Sequence, residues 1–283
     1  MSLGILTNVA ATYAENNLNQ TQNSLQTVLQ QLSSGSRINS GSDDAAGLSI
    51  SDGLTANEAA LTQSAQNAQN GVGLLQTADG ALSQVTNLLD RAVTLATEAS
   101  NGGLTTAQAG AADTEYQSIL TEIGNIGTST NFNSTAVFSA TATNFTVSDG
   151  TTAGTTTIAA TVGALTAGSV GTATGGGAGQ SLTGTDLTST ANAATALQDI
   201  TTAIADVSNQ RGAIGSNTNQ LNAAANVASA EEVNLSSAQS SILSTNYGQA
   251  TSDLAKYQVL SQTGISALAQ ANSTQQETLK LLQ

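Results

Sequence analysis

The sequence predicts a mainly α-helical protein, built as a long antiparallel helical hairpin or coiled-coil bundle with paired N- and C-terminal helices. A small β-hairpin region is predicted in mid-chain. Three observations predict this class. Two distant segments repeat apolar residues at every seventh position, none of the 283 residues is proline, and β-rich, Gly-rich runs occur only in the middle of the chain.

The first heptad segment predicts a helix from about 44 to 100, which would be ~80 Å long and end at Asn101, Gly102 and Gly103. An a/d seam of this kind needs a partner helix. A shorter helix is predicted from about Thr106 to Ile126. The seam positions are Leu54, Leu61, Ala68, Leu75, Leu82, Leu89 and Ala96.

The second heptad segment predicts a helix from about Leu187 to Ile242. The two seams can bury each other only if the chain doubles back, and this predicts that the two chain ends lie side by side. The seam positions are Ile200, Val207, Ile214, Leu221, Ala228, Leu235 and Ile242.

The terminal segments predict one more helix at each end, from about Leu3 to Leu32 and from about Gly248 onward. Connectors at Gly35 to Gly41 and at Ser244 to Tyr247 separate them from the long helices. The first helix is nearly uncharged, which favours packing against copies of itself over a solvated face. The apolar positions that we expect in the subunit interface are Leu18, Leu25, Leu32, Leu254, Ile265, Leu268, Leu281 and Leu282.

The middle of the chain changes in composition to Thr, Gly, Ala and Ser. The segments 144–148 and 155–162 are β-rich and predict small hairpins, but the low-complexity composition predicts little contribution to a core. The predicted domain organisation is 1–43 (N-terminal helix and connector), 44–130 (first long-helix part), 131–186 (short variable β region), 187–243 (second long-helix part) and 244–283 (connector and C-terminal helix).

Composition argues against several classes of function. The chain has no Cys and no His, which removes thiolate chemistry and the commonest general base and metal ligand, and leaves only Ser, Asp or Lys chemistry for an enzyme. The net charge is −14 with five Lys plus Arg, so neither nucleic acid nor an anionic membrane surface is an expected partner. Met1 to Asn8 lacks the basic region of a cleaved secretory signal, and no cofactor or metal is expected.

The stretch SSGSRINSGSDDAAGLSIS, from Ser33 to Ser51, closely resembles the motif that follows the first helix of bacterial flagellins. LLDRAVTLATEASNG (88–102) and GISALAQAN (264–272) resemble later parts of that family, near its innate-receptor site and at its C-terminus. The resemblance extends over roughly the first 130 and the last 95 residues.

This resemblance implies a structural, non-enzymatic subunit that polymerises into the extracellular flagellar filament for swimming motility. It implies a helical homopolymer of the chain itself, export in an unfolded state by the flagellar type III apparatus with an export chaperone, and cap and hook-junction proteins as partners. The alternatives are a hook–filament junction protein and a secreted coiled-coil adhesin.

Three further residues are assigned to assembly. Arg37 lies in the first connector, where an intersubunit or interlayer contact is favoured over a surface ion pair. Asp43 and Asp44 are interpreted as a helix start rather than as metal ligands, with Ser42 or Asp43 as the N-cap and Asp44 near the positive helix end.

A Toll-like receptor that senses flagellin is a further expected partner. Within the resembling stretch, Arg91 and Leu95, together with Glu122 on the next helix, match the family's receptor-contacting pattern. Val93 and Thr94 stand where a second Arg and its Glu usually stand, so weakened recognition is expected.

Overall fold

The structure is a computed structural model that describes residues 7–151, 153–172 and 177–281, without the side chains of 278–281. The described residues form five helices: α1 (Val9–Ser34), α2 (Ala45–Ser100), α3 (Thr106–Ser129), α4 (Thr190–Leu243) and α5 (Tyr247–Leu281). The chain divides into two compact units, residues 1–56 with 234–283 (the terminal unit) and residues 57–233 (the central unit).

Six short strands lie between α3 and α4 and form three two-stranded antiparallel pairs. The longest pair joins β3 to β4 with Phe145 opposite Ile158. The mainly α class with small β-hairpins in mid-chain is therefore confirmed. The strands are β1 (Asn131–Phe132), β2 (Thr135–Ala136), β3 (Thr143–Val147), β4 (Thr156–Ala160), β5 (Val170–Thr172) and β6 (Ala178–Gln180).

Local chemistry sets the helix boundaries. After α1, Gly35 adopts φ +72°, and its N–H donates to the carbonyl oxygen of Gln31, because glycine enters the left-handed region without a Cβ clash. α3 begins with a reciprocal capping box between Thr105 and Gln108. α4 begins three residues later than predicted, since the backbone carbonyl of Ser189 accepts from the amide of Ala193.

The predicted pairing of the terminal helices is present in the terminal unit. Nδ2 of Asn8, ahead of α1, donates to the carbonyl oxygen of Ala271 on α5 over 3.1 Å. A Cβ built on Gly264 would lie 3.2 Å from Cδ1 of Leu18. Contacts between the start of α1 and the end of α5 make the pair antiparallel.

The core of the central unit lies between α2, α3 and α4. Gly71 brings α2 close to α4, because a Cβ at this position would lie 2.8 Å from Cδ1 of Leu221. Eight residues later on α2, Asp79 pairs with Arg211 on α4, so these helices are also antiparallel. The α2 side chains in this core repeat at heptad spacing and include Leu75, Ala78, Leu82, Val85, Leu89, Ala92 and Ala96.

The expectation that the middle segment adds little to the core is wrong for its described part. Leu165, Val170 and Leu182 are at most 2% exposed and belong to the same apolar cluster as the long helices. Composition alone misled here, because sparse large apolar residues in a Gly- and Thr-rich segment are placed inward by the turns between them.

Leu82→Asp tests the seam. The side chain is fully buried, so the substitution places an unpaired charge among apolar groups and removes Leu packing. We expect a loss of about 3–5 kcal/mol and a fall of roughly 10 °C in the thermal midpoint. Gln84→Asp, at an exposed position two residues away, is the matched control. Equal melting of both variants would place the seam in another register.

Leu182→Ala tests the inward role of the middle segment. We expect about 2–5 kcal/mol of destabilisation in chemical unfolding, because a fully buried Leu leaves a cavity. Thr141→Ala, at an exposed position of the same segment, should change the unfolding free energy by less than about 0.5 kcal/mol. A silent Leu182→Ala variant would show that the segment is only appended to the helices.

Candidate assembly surfaces and connector clasp

The paired terminal helices hold most of the residues predicted for assembly. Leu18, Leu25 and Leu32 are half-buried on α1, as are Leu254 and Leu268 on α5. Ile265 is 51% exposed and lies outside the buried strip of α5. The side chain of Leu281 and the whole of Leu282 lie outside the described residues. The five leucines are therefore arranged for the α1–α5 pair itself, and Ile265 is free to contact another molecule.

Large apolar side chains also point away from this pair. Tyr13 is 68% exposed, and Val259 is 62% exposed. Seven of the ten exposed large hydrophobic residues in the described part of the chain lie on α1 and α5: Val9, Tyr13, Leu29, Tyr247, Val259, Leu260 and Ile265. The terminal pair thus presents an apolar surface that no described part of the chain covers.

The two connectors bind each other in a connector clasp, residues 35–37 with 242–245. The amide of Arg37 donates to the carbonyl oxygen of Leu243 over 2.6 Å. The amide of Thr245 donates to the carbonyl oxygen of Gly35 over 3.1 Å. Ser36 and Ser244 form an antiparallel bridge between these bonds. The clasp fixes the end of α1 beside the end of α4 within the terminal unit.

The Arg37 side chain reinforces this clasp. Its Nη2 donates to the carbonyl oxygen of Ile242 over 3.0 Å. The last carbonyl groups of a helix lack intrahelical donors and carry partial negative charge, so a guanidinium here caps α4 favourably. The described partner is a backbone carbonyl rather than the carboxylate of a surface ion pair. An additional contact with a second subunit stays a prediction.

The two adjacent aspartates have different roles. Oδ1 of Asp44 accepts from the amide of Gly47 over 2.9 Å, so Asp44 is the N-cap of α2, and the assignment of the cap to Ser42 or Asp43 is wrong. Oδ2 of Asp43 accepts from the amides of Asn39 and Ser40, at 3.0 and 2.9 Å. These two bonds lower the pKa of the Asp43 carboxyl, chiefly through the amide of Asn39.

The six residues predicted for the intramolecular seam all lie in the core of the central unit, at 3% exposure or less: Leu75, Leu82, Leu89, Val207, Ile214 and Leu221. Beside them, Nε and Nη2 of Arg211 donate to the two carboxylate oxygens of Asp79 over 2.7 and 3.2 Å. Both side chains of this bidentate pair are more than a third exposed, so water screens the interaction and the pair adds little to the free energy of folding. Its two parallel hydrogen bonds mainly fix the orientation of the two side chains.

The three residues predicted for the receptor patch are not all exposed on the surface. Arg91 is exposed on α2, but Leu95 is 3% exposed and packs in the core, which corrects its assignment as a surface contact. Glu122 on α3 accepts from Nδ2 of Asn125 over 3.2 Å. The acid that pairs with Arg91 is Glu115, through bonds of 2.7 and 3.1 Å. A receptor role of Arg91 and Glu122 stays a prediction.

Two partners were missed by sequence reasoning. Glu115 and Asp79 are each the carboxylate partner of an Arg on a neighbouring helix. The scarcity of cations was the available signal, because it indicated that each Arg has a partner. Which of several nearby acids pairs with a given Arg depends on how the neighbouring helices are aligned, and only the packed structure gives that alignment.

The described residues show no group of three or more His, Cys, Asp and Glu side chains placed to hold a metal ion. Within the same part of the chain, no helix is long and apolar enough to cross a membrane. The described residues define a helical protein with two long heptad helices, a pair formed by the first and last helices, and a clasp between the two connectors.

Comparisons with known proteins agree with this class. The bacterial flagellin N-terminal helical region matches residues 5–143, and the bacterial flagellin C-terminal helical region matches residues 197–282. The flagellin of Serratia marcescens is 43% identical over 140 residues, which cover 50% of this chain and 40% of that protein. The phase 1 flagellin of Salmonella naestved is 40% identical over 139 residues, covering 49% and 28%.

A crystal structure of Bacillus cereus flagellin is also similar, at 30% identity and a TM-score of 0.46, covering 57% of this chain and 88% of that one. The chain matches less than half the length of the curated relatives. Because the two family regions together cover most of the sequence, at its two ends, the chain belongs to the bacterial flagellin family.

Asp43→Asn tests the first connector through pH. A carboxyl with a lowered folded-state pKa adds stability above its unfolded value of about 3.8, and that stability is lost as pH falls through the folded pKa. In the parent protein we expect the amides around Asn39 and Ser40 to lose protection from hydrogen exchange below about pH 4. In the Asp43→Asn variant, part of this pH-dependent loss should be absent.

Asp52→Asn, on an exposed part of α2 in the same unit, is the control, and it should leave the acid dependence at the connector unchanged. Identical pH profiles for the Asp43→Asn variant and the parent protein would mean that these two hydrogen bonds do not hold the connector.

Proposed function

We propose that this chain is the structural subunit of a bacterial flagellar filament, which polymerises head-to-tail into an extracellular helical homopolymer that serves swimming motility. The observation that carries the proposal is the apolar surface of the terminal pair. Exposed side chains such as Tyr13, Val259 and Ile265 need a cover, and identical neighbours related by one repeated operation supply it along an open polymer.

The charge distribution supports the same proposal. Glu15 is the only charged residue of α1, whereas the whole chain has 19 acidic residues. In a helical homopolymer each charge recurs at every subunit, so like charges within a buried contact repel repeatedly. A helix covered with Asn, Gln, Ser and Thr avoids that repulsion and keeps the separate subunit soluble.

We assign two different roles to the residues of the terminal helices. Leu18, Leu25, Leu32, Leu254 and Leu268 order α1 against α5, and the exposed residues of both helices then make the intersubunit contacts. Half-buried leucines contribute less than the ~1.5–3 kcal/mol of a fully buried one, while ordering each residue costs ~1–2 kcal/mol. The pair therefore depends on neighbouring subunits for much of its stability.

Export in an unfolded state through the flagellar type III apparatus fits the same role. The chain has no Cys, so no disulfide can hold it folded during passage through a narrow channel. The family likewise supports a chaperone, cap proteins and hook-junction proteins as proposed partners.

A hook–filament junction protein is the second candidate. Counting the copies per filament distinguishes the two, because a filament subunit occurs in thousands of copies and a junction protein in a single ring.

Truncation after Gln249 tests the proposal directly. We expect the truncated protein to keep a folded central unit in circular dichroism and to remain monomeric, because that unit has its own core. It should fail to extend filament seeds that the full chain extends, as seen by electron microscopy. In limited proteolysis, the full-length monomer should lose its ends first, and the filament should protect them.

Seed extension by the truncated protein, or equal cleavage of the ends in monomer and filament, would show that the terminal pair is not the assembly element. A soluble oligomer without ordered filaments would instead favour a secreted coiled-coil adhesin.

A further inference from the structure

Two asparagines of the chain are followed directly by glycine: Asn70 within α2 and Asn101 just after its end. This dipeptide has a chemistry of its own in water. The backbone nitrogen of the glycine can attack Cγ of the asparagine side chain, because glycine has no Cβ to shield that nitrogen. The same dipeptide therefore occurs in two structural settings, and each setting decides whether the attack can take place.

The first setting is the interior of a helix. Each amide of an α-helix donates to the carbonyl oxygen four residues earlier, so the nitrogen of Gly71 is already engaged. Gly71 is also buried, since a Cβ built on it would lie 2.8 Å from Cδ1 of Leu221 and 3.0 Å from Cγ of Phe145. Attack on Asn70 would require the helix to open within the core, so the fold protects this site.

The second setting is the exposed connection between α2 and α3. The amide of Asn101 donates to the carbonyl oxygen of Glu98 over 3.2 Å, and Asn101 and Gly102 then lie outside any helix. Among the described residues, the amide of Gly102 has no hydrogen-bond partner. A Cβ built on Gly102 would have no heavy atom within 4 Å apart from its chain neighbours. The nitrogen is therefore free to move towards the side chain of Asn101.

We propose that Asn101 is a site of spontaneous covalent modification in which water is the co-reactant. The nitrogen of Gly102 loses its proton and bonds to Cγ of Asn101, and the bond from Cγ to Nδ2 breaks. The side-chain amide leaves as ammonia and carries that proton away. A five-membered succinimide remains, in which one nitrogen joins the backbone carbonyl carbon and Cγ.

Water then opens the succinimide at one of its two carbon–nitrogen bonds. The hydroxyl adds to the carbonyl carbon, and the proton returns to the nitrogen of Gly102. Opening at Cγ gives aspartate, and opening at the backbone carbonyl carbon gives isoaspartate. Either product replaces a neutral amide by a carboxylate, so a chain of net charge −14 gains one further negative charge.

The surrounding structure can accommodate both products. Ala99, at 4% exposure, holds the end of α2 in the core, and Leu104 packs against the same core before α3 begins. Residues 101–103 between them are exposed, so an altered backbone there disturbs no buried contact. The new carboxylate lies beyond the C-terminus of α2, where the helix dipole is negative, and it weakens the last turn of that helix.

Ageing of the full-length soluble chain at neutral pH tests the inference. Trypsin cleavage after Arg37, Arg91 and Arg211 places Asn70 and Asn101 in separate fragments. Conversion raises the mass of a fragment by about one dalton, and fragmentation in the mass spectrometer assigns the residue. We expect Asn101 to convert more than about tenfold faster than Asn70 in the folded protein. In strong denaturant the two rates should agree within about threefold, because the helix no longer protects Asn70.

Gly102→Ala tests the chemical route. The added Cβ has room in the structure but shields the attacking nitrogen, so conversion of Asn101 should slow about tenfold. Gly110→Ala on α3 also adds a Cβ in open space, away from any asparagine, and should leave the rate unchanged. The inference does not depend on the proposed function, because the reaction needs only the folded chain and water.

An intact Asn101 in the folded chain, under conditions in which the denatured chain converts, would overturn the inference. Equal conversion of Asn70 and Asn101 in the folded protein would overturn it as well, since the structure would then not select the site. Conversion of the Gly102→Ala variant at the parent rate would exclude the succinimide route.

Discussion

The central unit depends on one constraint: two apolar seams far apart in sequence must be buried against each other. Leu75, Leu82 and Leu89 recur at every second turn of α2, and Val207, Ile214 and Leu221 do so on α4. Seven residues fall slightly short of two turns of an ideal helix, so such a seam stays in register along helices that wrap gently around each other. The two helices run antiparallel, with Gly71 beside Leu221 and Asp79 paired with Arg211.

The small size of many seam residues explains how the unit packs with only 2% aromatic residues. Ala78, Ala92 and Ala96 are completely buried, so the helix backbones approach closely where these positions meet their neighbours. At Gly71 even a methyl group would collide with Leu221 and Phe145. Close backbone approach replaces the volume that large rings supply in ordinary cores.

The terminal unit follows a different principle. Within its described part, the buried side chains are few, Val28 and Ile38 among them, and the leucines of α1 and α5 are only half-covered. Directed hydrogen bonds of the connector clasp and of Asn8 fix the geometry that apolar burial alone does not fix. A pair of helices that is well placed but incompletely buried is suited to complete its core with copies of itself.

The sequence by itself determined the helices, the two heptad seams, the connectors and the family, because these follow from periodicity, from glycine placement and from a long motif. Tertiary structure decided which acids pair with Arg91 and Arg211, that Leu95 is buried, and that Asp44 rather than Asp43 caps α2. It also decided that Leu165 and Leu182 of the middle segment belong to the core. The physical reason is that periodicity assigns a residue to a face of its own element, whereas burial and pairing depend on what the rest of the chain brings against that face.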